Sequence, residues 1–177
     1  LGKSKITPNE EALSDYATSM QRLHHVVDGF VVNVSSPNTP NLRDLQHESV
    51  LGDLLEGLSK VLSDLNATAE SPRPMLVKFA PDLDVATLLG MVDVARNAGA
   101  DGVVLSNTTV ERGPAEHPAQ ARFLAEKGGL SGAPLKDRST ALIQAVHDHT
   151  DGSWPIIGVG GISDAKDAQE KLDAGAT

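Results

Sequence analysis

Four clusters of polar or glycine residues each close a short apolar run in this 177-residue chain. Asn33, Ser35, Ser36, Asn38 and Thr39 follow Phe30-Val-Val32, and Lys78 sits inside Leu76-Val-Lys-Phe-Ala80. Ser106, Asn107, Thr108 and Thr109 follow Gly102-Val-Val-Leu105, and Gly158, Gly160 and Gly161 close Pro155-Ile-Ile-Gly-Val159. Amides and hydroxyls can orient a polar substrate, and a hydroxyl can move a proton when an acceptor takes its own. A lysine flanked by apolar residues is costly unless an anion meets it. Glycines ahead of a Ser163-capped helix offer backbone N–H groups and a helix N-terminus to a phosphate. Gly128-Gly-Leu-Ser-Gly132 is a second loop that allows close approach to the backbone. Two such loops point to a phosphorylated cofactor, with Lys78 offsetting its charge. Each cluster also has a plainer reading: a strand end and its turn, a lysine snorkelling to a surface carboxylate, or capping chemistry. Recurrence at the end of every strand favours a shared pocket.

The elements that must position these residues alternate. Thr7-Pro8-Asn9-Glu10 predicts a capping box, followed by a helix with Leu13, Tyr16, Met20, Leu23 and Val27 on one face. Phe30-Val31-Val32 reads as a strand covered on both faces, stopped by Pro37 and Pro40. A helix carries Leu51, Leu54, Leu55, Leu58, Val61, Leu62 and Leu65, and fades into a linker over Asn66–Pro74. Met75–Ala80 is a second strand, Asp84 starts a helix closed by Gly99, and Gly102–Ser106 is a third strand. Val110–Lys127 reads as a long irregular loop over a site. A helix from about Lys136 to His149, a strand over Pro155–Val159 and a last helix complete the order. Strands alternating with helices mean βα units and a parallel sheet. Catalytic groups spread over successive strand ends suit a (β/α)₈ barrel better than a doubly wound sheet. Asn97-Ala-Gly-Ala-Asp101 is echoed by Asp173-Ala-Gly-Ala-Thr177, so a further strand is expected after Thr177. Leu1-Gly2-Lys3 reads as the exit loop of an earlier strand. The expectation is one partial barrel domain over 1–177, about four βα units of a larger protein.

Composition narrows the classes. The net charge is −9, with 15 Lys plus Arg against 24 Asp plus Glu, and aromatics are 3%, which disfavours nucleic-acid binding. With no Cys there is no disulfide, thiolate metal site or cysteine nucleophile. His24, His25, His47, His117, His147 and His149 show no paired ligand spacing, so no metal is expected. No apolar run is long enough to cross a bilayer.

Asn33-Val-Ser-Ser-Pro-Asn-Thr39, Leu76-Val-Lys-Phe-Ala-Pro-Asp-Leu83, Ser106-Asn-Thr-Thr109, Gly128-Gly-Leu-Ser-Gly-Ala-Pro-Leu135 and Pro155-Ile-Ile-Gly-Val-Gly-Gly161 occur in this order. Together they resemble the class 2, quinone-reducing dihydroorotate dehydrogenase family, over essentially the whole chain. The resemblance implies an FMN-binding (β/α)₈ barrel that oxidises dihydroorotate to orotate in pyrimidine synthesis, with a quinone as electron acceptor. A base takes a proton from C5 of the substrate while hydride passes from C6 to N5 of FMN. By the same match Ser36 is the catalytic base; class 1 enzymes carry Cys there, and this chain has none. A serine hydroxyl is a poor base and needs a proton acceptor or water relay, which Thr39 could help to position. Lys78 contacts FMN, and Asn33 touches both FMN and substrate. Asn38, Asn107 and Thr108 bind substrate, while Ser106, Gly132 and Gly161 line FMN. The family more often has Thr at the place of Ser106; the hydroxyl is kept.

The resemblance further implies membrane contact through amino-terminal helices outside this chain: the inner mitochondrial membrane in a eukaryote, the cytoplasmic membrane in a bacterium. It leads us to expect that this stretch alone is inactive. Two alternatives are another FMN-dependent barrel oxidoreductase and a catalytically dead barrel scaffold. The linked Ser-Ser-Pro-Asn and Ser-Asn-Thr-Thr motifs argue against the first, and intact Ser36, Lys78 and Asn107 against the second.

Overall fold

The computed structural model describes residues 1–114, 121, 122 and 124–177. Its elements run α1 (Ala12–Leu23), β1 (Phe30–Asn33), α2 (Glu48–Asn66), β2 (Met75–Lys78), α3 (Val85–Asn97), β3 (Gly102–Leu105), α4 (Lys136–His149), β4 (Ile156–Gly158) and α5 (Ala165–Asp173). Among the described residues the four strands form one parallel sheet in chain order, β1-β2-β3-β4. The linking helices share one core cluster with the strands, as right-handed crossovers between sequential neighbours require, and this is the geometry that curls a sheet towards a (β/α)₈ barrel. The chain supplies part of that barrel.

The helix-covered face is the core. Phe30, Val32, Met75, Val77, Val103, Leu105 and Ile156 are all buried on it, alternating along the strands as the pleat requires. They join one cluster with Tyr16 and Met20 of α1, the α2 leucines, Leu88, Met91 and Val92 of α3, and Leu142, Ile143 and Val146 of α4. The α2 spacing works as read: Leu51, Leu54, Leu55, Leu58 and Leu62 are buried, each burial worth about 1.5–3 kcal/mol. The opposite face carries Val31, Asn33, Leu76, Lys78, Val104 and Ile157. There the expected double coverage is incomplete. Val31 and Leu76 are half-buried, and Ile157 is 44% exposed. That face is the one that lines the interior of a barrel.

Local signals were met unevenly. Asp84 caps α3, accepting from Thr87 N at 3.0 Å, and Gly99 turns the chain with φ +88°. The capping box at Thr7 does not form. Asn9–Glu11 is a 3₁₀ turn without a side-chain cap, α1 starts at Ala12, and Asp15 instead accepts from Ser4 N at 2.6 Å. Leu13 and Leu23 are each 40% exposed, so the buried stripe of α1 is Ala12, Tyr16 and Met20. The cap of α5 is Asp164, accepting from Asp167 N at 2.9 Å, rather than Ser163. Of the loop expected over Val110–Lys127, residues 115–120 and 123 lie outside the described residues, His117 and Pro118 among them. Ala121, Arg122 and Leu124 are helical rather than irregular.

The two echoed connections fold alike. Asp101 N donates to Met75 O at 2.7 Å while Asp101 Oδ2 accepts from Met75 N at 2.8 Å. Thr177 N donates to Ile156 O at 2.9 Å while Thr177 Oγ1 accepts from Ile156 N at 3.1 Å. Leu1 lies along β1, its N donating to Val31 O at 2.6 Å and its O accepting from Asn33 N at 3.0 Å.

Candidate active site

All four strands run the same way, so their carboxyl ends share one rim, where a parallel α/β fold collects its functional groups. Asn33 ends β1 and stands in register with Lys78 at the end of β2, which in turn pairs with Val104 of β3. Asn33, Lys78 and Val104 therefore lie side by side on the open face. Tyr16 anchors this end of β1, its Oη donating to Asn33 O at 2.8 Å. Burial pushes the Tyr16 phenol up to about 12 and keeps that proton in place.

Beyond the strand ends a side-chain cluster forms. Asn33 Oδ1 accepts from Ser35 Oγ at 2.8 Å and from Asn107 Nδ2 at 3.2 Å. Asn107 Nδ2 also reaches Ser35 Oγ at 2.9 Å, and Asn107 Oδ1 accepts from Thr108 N at 2.8 Å. Ser35 is fully buried and committed to this cluster. Its neighbour differs. Ser36 is half-buried, and its Oγ accepts from Asn38 N at 3.2 Å. The Ser36 hydroxyl proton has no acceptor among the described residues, so this serine alone of the pair is free to exchange a proton.

The glycine loop Gly128–Gly129 closes onto the same place. A side chain at Gly129 would fall 1.8 Å from Thr108 Oγ1, and one at Gly128 3.1 Å from Asn38 Oδ1. Only a bare backbone lets Thr108 and Asn38 sit there. An antiparallel bridge between Thr109 and Leu130 fixes the approach. Arg112 braces it, donating to Gly128 O at 2.7 Å and to Thr109 O at 3.1 Å.

Lys78 makes no hydrogen bond or ion pair among the described residues, although it is half-buried. Ser106 is 1% exposed, bonded through its N to Val159 O at 3.1 Å, with its Oγ donating to Asn107 O at 3.1 Å. Gly132 has φ +90° and nothing within 4 Å of where a Cβ would stand. Gly161 has φ +71°, and a Cβ there would lie 2.6–2.7 Å from the Lys136 backbone. The N–H groups of Gly160 and Gly161 have no acceptor among the described residues. An unpartnered ammonium, an open glycine and unpaired backbone N–H groups fit a phosphorylated, anionic cofactor.

The sequence reading missed the pair that locks the rim. Arg43 Nη1 and Asp82 Oδ2 are 2.7 Å apart. Arg43 also donates to Ser35 O at 3.1 Å and to Thr108 O at 3.2 Å. Asp82 accepts from Thr109 Oγ1 and, at 3.2 Å, from Val110 N. Three strand-end loops are thus joined through two side chains. Gln46, 5% exposed, adds a further contact by accepting from Ala80 N at 3.0 Å. A charged pair next to proline-marked strand ends was the available signal, but the two residues are 39 positions apart.

Fold and site together define a protein of the βα-barrel class whose polar groups gather at the carboxyl ends of its parallel strands. The chain belongs to the dihydroorotate dehydrogenase family, whose model matches residues 1–177. It is 47% identical over 189 residues to the dihydroorotate dehydrogenase (quinone) of Synechococcus sp. (strain JA-2-3B'a(2-13)), covering 100% of this chain and 48% of that protein. With the protein of the same name from Thermosynechococcus vestitus it shares 48% over 182 residues, again 100% and 48%. The crystal structure of Eimeria tenella DHODH in complex with ferulenol superposes with a TM-score of 0.87 at 34% identity, over 99% of this chain and 49% of that one. The chain spans about half the length of the relatives it matches.

Proposed function

We propose that residues 1–177 are one partial FMN-binding barrel domain of an enzyme that oxidises dihydroorotate to orotate and passes the electrons to a quinone. The family is flavin-dependent; FMN in particular is supported by the two glycine loops and the unpartnered Lys78. In this reading Lys78, Asn33, Ser106, Gly132 and Gly161 hold the flavin, which supplies the hydride acceptor. Asn38, Asn107, Thr108 and Asn33 orient the substrate by amide and hydroxyl bonds. Ser36 Oγ takes the proton from C5 and gives its own to water. The named relatives are quinone enzymes, which supports a quinone acceptor and association of the whole protein with a membrane. No helix among the described residues is long and apolar enough to cross one.

The observation that carries the reading is the contrast between adjacent hydroxyls, Ser35 spent on the cluster and Ser36 free beside it. The test is orotate formation by the full-length protein with a quinone or dye acceptor. Ser36→Ala should lower kcat by about 10²–10⁴, the usual worth of a positioned acid or base, with flavin content unchanged. Ser36→Cys should retain part of the activity and shift its pH profile. An unchanged rate in Ser36→Ala would remove Ser36 from the mechanism. The chain by itself, supplied with FMN, should not turn over dihydroorotate, because half of the barrel wall is contributed by other strands.

A further inference from the structure

Behind the glycine loop lies a lysine with no part in the chemistry above. Lys171 of α5 is 2% exposed, and no carboxylate among the described residues pairs with it. Its Nζ donates to Lys136 O at 2.8 Å, Ser139 Oγ at 2.6 Å and Thr140 Oγ1 at 2.6 Å. An ammonium has three protons and no lone pair, so these acceptors use it completely. Burial, and then the charge of Lys136, hold the Lys171 pKa below the usual lysine value.

The neighbouring hydroxyls then have little choice. Lys136 O accepts from Thr140 Oγ1 at 2.9 Å and from Lys171 Nζ at 2.8 Å, besides the N–H it receives as the first carbonyl of α4, so it is crowded with donors. Ser139 Oγ lies 3.0 Å from Lys136 O and 3.1 Å from Gly160 O. Already accepting from Lys171, Ser139 is left to give its single proton to Gly160 O. The peptide unit is planar and trans, so a carbonyl turned into α4 points the N–H of Gly161 the opposite way. That N–H is one of the two unpaired donors of the loop.

We infer that Lys171, acting through Ser139, is a positioning residue that fixes the Gly160–Gly161 peptide with its N–H directed at the cofactor's phosphate. The inference rests on the flavin-phosphate reading of this loop. Lys171 does not touch the phosphate, because its protons are all spent. Without Lys171, Ser139 has a free choice of two carbonyls and the Gly160 carbonyl loses its tether.

The test compares FMN with riboflavin, which has the same ring and no phosphate. Full-length apoprotein is titrated with each, following quenching of flavin fluorescence, for the wild type, Ser139→Ala and Lys171→Met. Both variants should bind FMN at least about tenfold more weakly, the loss of one oriented bond to a charged group, and riboflavin within about twofold of wild type. Unchanged FMN affinity, or equal losses for both flavins, overturns the inference. If Lys171→Met does not fold, Ser139→Ala, which loses one oxygen, decides alone. Equal affinity of the wild type for the two flavins would overturn the phosphate reading itself, an outcome seen before any variant is made.

Discussion

The two halves of the strand-end rim are held in place by different means. On the β1 to β3 side, side chains bond to side chains: Asn33, Ser35 and Asn107 form a closed cluster, and Arg43 with Asp82 ties three loops around it. On the β4 side the groups at the rim are the unpaired backbone N–H groups of Gly160 and Gly161, with Gly160 O held from behind by α4 and α5. The difference follows from what must be aimed. An amide or hydroxyl side chain can rotate, so it needs lateral partners to fix its direction. A backbone N–H is aimed as soon as its own carbonyl is held.

This contrast can be broken from either side. The largest effect should come from the adjacent serines: Ser36→Ala should remove most turnover while leaving thermal stability near wild type. Ser35→Ala, which strips the cluster of a buried hydroxyl, should cost about 1–3 kcal/mol in urea unfolding and lower activity as well. Identical behaviour of the two variants would contradict the division of labour between them. Next comes the brace. Arg43→Ala leaves Asp82 without its ion pair and frees two carbonyls, so a loss of about 2–3 kcal/mol is expected, with a raised KM if Thr108 binds substrate.

The glycine side should respond to bulk instead. Gly161→Ala places a methyl against the Lys136 backbone at positive φ and should cost more than about 2 kcal/mol and most of the FMN affinity. Gly132→Ala meets no neighbour and should cost only the backbone strain, about 1 kcal/mol. The smallest effect expected is that of Tyr16→Phe, which removes one bond to Asn33 O at about 1 kcal/mol. It also has a pH signature. The phenol ionises at its ordinary 10.0 when unfolded and at about 12 when folded. Its contribution is therefore fully present below pH 10 and lost as pH rises towards 12, by about 1.4 kcal/mol per unit. Over that window the difference between wild type and Tyr16→Phe should shrink and then change sign, because the loss exceeds the bond's worth of about 1 kcal/mol.

Much of this was legible in the residues. The α2 leucines, the Asp84 cap, Gly99 and the Lys136–His149 helix are local signals, and short-range physics decides them. The failures are instructive. Thr7 met the pattern of a capping box, yet the turn at Asn9–Glu11 and the Ser4–Asp15 bond start α1 later, because contacts to the preceding loop outweigh one cap. Ser163 yielded the α5 cap to Asp164, one residue on. The exposure of Ile157 could not be read from an apolar run, which looks the same whether one face or both are covered.

The candidate site divides in the same way. Lys78, Asn107 and the glycines stand out in the sequence because each residue type announces its chemistry at its own strand end, whereas Ser36 is singled out from Ser35 by the family resemblance. Residue order alone also determined the βα alternation and the parallel sheet, since periodicity and turn residues act over a few positions. Only the tertiary structure decided which of two adjacent hydroxyls is free, and that Arg43, Asp82, Ser139 and Lys171 hold the rim. Those roles depend on which acceptors already have donors, and that is set by residues tens of positions apart that meet only when the sheet is formed.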